Sequence, residues 1–137
     1  MTKYRGLVAV MAIVVLVLAA CRPAAAPAKE PYKIGMTAAL TGPAAATAFP
    51  EAEGFRLYMQ KLNDSGGIDG HPVQLTIQDD RGEPTQAASN MRKFADLGVQ
   101  IVRNTSPSAT FLPTIQEAKR ANIPVVTTMV SPAEAMP

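Results

Sequence analysis

One cysteine and one histidine in 137 residues leave this chain little reactive chemistry. The lone Cys21 excludes an internal disulfide, and its place at the end of an apolar run suits lipid attachment better than redox or metal work. With His71 the only histidine, neither a Ser-His-acid triad nor an ordinary zinc site can be assembled. Neither GxGxxG nor a GxxxxGK loop ending in Ser or Thr occurs, and GGIDG (66–70) follows a helical pattern instead of opening one, so it reads as a turn. Clustered basic residues interleaved with aromatics are missing too. The formal charge of +2 comes wholly from Lys3 and Arg5; from residue 21 onward basic and acidic side chains balance, which removes any case for nucleic acid.

Lys3 and Arg5 precede the uncharged stretch GLVAVMAIVVLVLAA (6–20), shorter than the roughly 20 residues that span a bilayer. Residues 1–20 therefore read as an export signal. The closing LAAC, Leu18 to Cys21, resembles the lipobox of bacterial lipoproteins, which makes Cys21 the lipidated residue. The competing reading is a short membrane anchor with a chance cysteine. Residues 21–31 are rich in Pro and Ala, too poor in bulky side chains to pack, and read as an extended tether. The expected location is outside the cytoplasm, lipid-anchored to a bacterial cell membrane.

Beyond the tether the pattern alternates. YKIGMTAAL (32–40) reads as a strand. PEAEGFRLYMQKLNDSGG (50–67) reads as a helix with Ala52, Phe55, Met59 and Leu62 on one stripe, Pro50 in its first turn, Glu51 and Glu53 at its positive end, and Gly66 and Gly67 closing it. HPVQLTIQDD (71–80) alternates with period two, as a sheet-edge strand does. EPTQAASNMRKFADLG (83–98) places Pro84 at a helix start, Ala87, Met91, Phe94 and Leu97 on one face, and Gly98 past the end. VQIV (99–102) is a third strand, residues 108–121 a third helix interrupted early by Pro113, and IPVVTTMV (123–130) a fourth strand. The order βαβαβαβ predicts an α/β fold with a doubly wound parallel sheet, incomplete because the chain stops after its fourth strand.

In such sheets ligands sit beyond the carboxyl ends of the strands, where helix N-termini point amide groups outward. TAALTGPAAATAF, NTSPSAT and TTMVSP occupy that edge. Thr105, Ser106, Ser108 and Thr110 crowd the second of these, and Ser108 is a candidate receptor for a carboxylate or another small anion. The plainer reading makes Ser106 or Ser108 a helix cap. Asp79, Asp80 and Glu83 could face a cation, but acids there more often begin a turn. His71 precedes the second strand and falls on the opposite edge.

Four segments in register, YKIGMTAALTGPAA, NDSGGIDGHPVQL, DDRGEPTQA and GVQIVRNTSPSATFLPTIQEAKRANIPVVT, resemble the extracellular solute-binding proteins of ABC transporters, type I periplasmic-binding fold, branched-chain amino acid (Leu/Ile/Val-binding) family. The resemblance covers about residues 32–137 and implies a partial amino-terminal lobe, with the second lobe absent. It implies capture of a small amino-acid-like solute, delivery to an ABC permease in the membrane, no enzyme activity and no cofactor. Carried over by position, Ser108 with the backbone at Pro107 holds the ligand carboxylate or amine, Ser131 contributes a second hydroxyl, and Met129 and Thr47 line the pocket. Departures stand beside these matches: Arg103 and Asn104 where relatives carry glycine, Ala109 for another glycine, and Pro107 with no amide hydrogen to offer. Two other readings stay open, a ligand-sensing receptor or regulator of the same fold and a lipid-anchored α/β hydrolase; gene neighbours separate the first, a histidine-bearing loop the second.

Overall fold

The computed structural model describes residues 29–128. Cys21, Met129 and Ser131, with residues 1–20 and most of 21–31, read above as signal and tether, lie outside the described residues. Four strands, β1 (Tyr32–Ala38), β2 (Val73–Asp79), β3 (Ile101–Asn104) and β4 (Val125–Thr127), alternate with three helices, α1 (Ala45–Asp64), α2 (Pro84–Asp96) and α3 (Phe111–Ala121). All strand pairs are parallel, in the order β2-β1-β3-β4, so the carboxyl ends share one rim and β2 is an edge as its alternation predicts.

Register sorts the side chains between two faces. Gly35 and Val102 are partners and point to the side covered by α2 and α3, where Met91, Phe94, Val99 and Ala118 form a core with Ile123 and Val125 against it. Gly35 is required there: a Cβ would sit 2.9 Å from the Phe94 ring, closer than packed atoms come. Met36 and Ala38 point the other way and pack with Ala52 of α1, joined by Leu40, Phe55, Leu75 and Ile77. Helices therefore cover both sides, as the doubly wound reading requires.

Several boundaries differ from the sequence expectation. Helix α1 begins at Ala45, five residues before Pro50, which lies inside it. The alanines of AAATA are strong helix formers, and the start is held by Ala45 N–H to the Gly42 carbonyl at 3.1 Å and by Thr47 Oγ1 to the Ala44 carbonyl at 3.0 Å. Glu51 and Glu53 thus stand past the first turn, which holds no acid. Strand β3 lies two residues later than VQIV suggests, because the Val99 amide still closes α2 on the Phe94 carbonyl at 3.0 Å. Leu97, expected in the stripe, caps α2 and is 51 % exposed. Pro113 does not interrupt α3: it is the third helical residue, where no intrahelical partner is needed, and a 3₁₀ turn at Ser108–Thr110 leads in. Gly67 closes off α1, its N–H reaching the Leu62 carbonyl at 2.9 Å.

Candidate functional site

Strand β2 ends at Asp79 and Asp80 follows it, and alternation sends the two acids to opposite faces. Asp79 stays on the α1 side and gathers the loop after β1: its Oδ1 accepts from the Leu40 amide at 3.0 Å and the Arg81 amide at 2.9 Å, and its Oδ2 from Thr41 Oγ1 at 2.6 Å. Partial burial pushes its carboxyl up, but the donors from Thr41, Arg81 and Leu40 outweigh this and hold it below the usual carboxylate range.

Asp80 turns to the α2 side and is fully buried. Thr37 Oγ1 donates to it at 2.6 Å, Ser106 Oγ at 2.6 Å and the Gly82 amide at 2.8 Å. Thr37 belongs to β1, Gly82 to the loop after β2 and Ser106 to the loop after β3, so one carboxylate ties three rim segments together. Buried Asn90 of α2 completes the knot, its Nδ2 reaching Thr37 Oγ1 at 3.3 Å and the Asp79 carbonyl at 3.1 Å. Both acids are thereby engaged by protein donors, which favours the turn reading of these residues over the cation reading. Glu83 is the residue before α2 and makes no side-chain cap bond.

The hydroxyls after β3 divide by role. Ser106 belongs to the Asp80 knot, and its amide bonds Asn104 Oδ1 at 2.8 Å. Thr110 is buried, its Oγ1 donating to the Pro107 carbonyl at 2.9 Å and accepting from Asn104 Nδ2 at 3.2 Å. Thr105 is buried, and its Oγ1 has no hydrogen-bond partner among the described residues. Ser108 is exposed; its carbonyl accepts from the Phe111 amide, but its hydroxyl bonds no described residue, and neither the 3₁₀ turn nor α3 has a side-chain cap. The capping reading of Ser106 and Ser108 is therefore corrected: one secures a buried acid, the other faces solvent. Pro107, half-buried, starts the 3₁₀ turn and stands over Gly82, where a Cβ would meet its ring at 3.7 Å. Thr47 is exposed on the first turn of α1, at the same rim.

On the α1 side of the rim, Arg103 forms an ion pair with Glu51, its guanidinium carbon lies 4.9 Å from the centre of the Phe55 ring, and Thr128 Oγ1 donates to the same Glu51 oxygen at 3.1 Å. Sequence reasoning missed this cluster and the Asp80 knot. Spacing carried part of the signal, since Glu51 and Phe55 are four apart on one helix face and Asn90 falls in the buried stripe of α2. Below Arg103 a hollow of about 210 Å³ opens between Ile34, Phe55, Ile101 and Val126. A wider one, about 590 Å³, runs along the β2 edge beside the second half of α1, away from the rim. His71 sits at the amino-terminal edge as expected, with Nδ1 2.8 Å from the Glu30 carbonyl and its ring 4.7 Å from that of Tyr32.

A parallel α/β lobe with helices on both faces and polar residues gathered at its carboxyl rim belongs to the doubly wound class. Residues 31–136 match the model of the Periplasmic binding protein family, and the chain belongs to that family. Among curated relatives, it is 30 % identical over 100 residues to Leu/Ile/Val-binding protein homolog 4 of Brucella abortus, an alignment covering 73 % of this chain and 24 % of that protein. It is 36 % identical over 80 residues to Leu/Ile/Val-binding protein BraC3 of Rhizobium johnstonii, covering 58 % and 22 %. Among solved structures, it superposes with a TM-score of 0.71 and 25 % identity on the branched-chain amino acid transporter substrate-binding protein LivJ of Streptococcus pneumoniae, determined with isoleucine, over 74 % of this chain and 30 % of that one. The chain spans about a quarter of the length of the curated relatives it matches.

Proposed function

We propose that this chain supplies the first lobe of a substrate-binding lipoprotein of an ABC importer, which captures an amino-acid-like solute and hands it to a membrane permease. The observation that carries the reading is the free Ser108 hydroxyl. Ser106 and Thr110 are committed to protein partners, whereas Ser108 stands exposed at the start of a turn on the carboxyl rim. The names of the relatives, Leu/Ile/Val-binding proteins and a transporter's substrate-binding protein, support the solute class. Ser108 and the backbone beside Pro107 would meet the solute's charged end. Thr47, Met129 and Ser131 would line the same cleft, and a second lobe closing over it would supply most of the burial.

Titration calorimetry of the mature protein with L-leucine, L-isoleucine and L-valine tests this. Saturable binding is expected, with Ser108→Ala costing about 1–3 kcal/mol of affinity where the hydroxyl meets a charged group. Unaltered affinity in that variant would remove Ser108 from the site, and silence with all amino acids would remove the reading itself. Cys21 would carry the lipid that holds residues 22–31 at the membrane. Cys21→Ser should then move the protein from the membrane fraction to the soluble one; retention in the membrane would favour the short-anchor reading.

A further inference from the structure

Among the described residues, two buried polar atoms find no hydrogen-bond partner, Arg103 Nε and Thr105 Oγ1. They stand two residues apart on one line. The Thr105 amide still donates to the Thr37 carbonyl at 3.1 Å, so the ladder of β3 continues through it and both side chains project on the α1 face. Buried polar groups are almost always paired, which makes two orphans side by side at a ligand rim an observation in its own right. We propose that Arg103 and Thr105 form a second polar subsite of the cleft, which takes an uncharged oxygen of the solute, a side-chain hydroxyl or carboxamide carbonyl.

The chemistry follows from the donors. Nε–H can only donate, so its partner is an acceptor. Arg103 already has its charge matched by Glu51, and a solute carboxylate added here would face that glutamate without a cation of its own. A neutral oxygen meets no such opposition. The threonine hydroxyl can donate or accept, so it serves the carbonyl or the hydroxyl of the incoming group alike. Thr105 is fully enclosed while the Arg103 side chain is 24 % exposed, so entry is from the Arg103 side, where Glu51 and Thr128 stand.

This inference rests on the solute-binding reading above and narrows its substrate to amino acids with a hydroxyl or carboxamide side chain. The mature protein is titrated with two near-isosteric pairs, L-threonine against L-valine and L-asparagine against L-leucine. The polar member of at least one pair should bind about tenfold or more tightly, the scale of one buried hydrogen bond. In Thr105→Val that preference should collapse, while the ligand-free protein melts higher because an unpaired hydroxyl has become a methyl group. Aliphatic members binding as tightly as polar ones in the wild type would overturn the subsite and leave the solute-binding reading standing. Binding of no amino acid would overturn both. A lower ligand-free melting temperature in Thr105→Val would show that the hydroxyl already has a structural partner, and would also overturn the subsite.

Discussion

The two faces of the sheet are finished to different degrees. Toward α2 and α3, Phe94 lies against the bare backbone of Gly35, and Asp80, Thr37, Asn90, Asn104, Ser106 and Thr110 satisfy one another. Toward α1, the same strands carry an Arg–Glu pair with a share of solvent, two orphaned atoms and an open hollow bordered by Val126. A closed polar network rigidifies what it joins, while unmet donors invite a partner. The α2–α3 side therefore holds the rim in place, and the α1 side keeps polar atoms still to be met.

That contrast can be broken by matched substitutions. Asp80→Asn swaps one acceptor oxygen for a donor where three donors converge, and should lower the unfolding free energy by about 3 kcal/mol in urea denaturation. Glu51→Gln makes the same exchange on the α1 side, at side chains 24 % and 31 % exposed, and should cost about 1 kcal/mol or less. Equal losses would erase the distinction between the faces. The smallest effect is a pH dependence at Asp79. Its carboxyl is depressed in the folded state, so its contribution is present above the unfolded value near 4 and is lost as pH falls through the lower folded value. Asp79→Asn should thus flatten the decline in stability on acidification below about pH 4; a decline as steep as the wild type's would mean that Asp79 is not its source.

Much of the architecture was legible because it rests on periodicity. The stripe of Ala87, Met91 and Phe94 reports burial directly, and the alternation of Val73, Leu75 and Ile77 marks a strand whose apolar side is buried at Val73 and partly buried at Leu75 and Ile77. Boundaries were less legible where two local preferences compete. Pro50 reads as a helix start, yet the alanine run before it was enough to begin the helix earlier. At the rim, spacing located the hydroxyl cluster but not its division of labour. Whether Ser106 caps a helix or binds Asp80 depends on a residue 26 positions away, and pairings at that distance leave no local trace. Arg103 and Glu51, 52 apart, were hidden for the same reason.

The convergence on Asp80 bears on how this lobe can diverge. Thr37, Ser106 and Asp80 come from separate stretches of chain yet share their hydrogen bonds, so a change at one alters the worth of the other two. Drift at these positions should be epistatic: the trio is replaced as a set or kept as a set, while exposed neighbours such as Ser108 and Ala109 remain free to change one residue at a time.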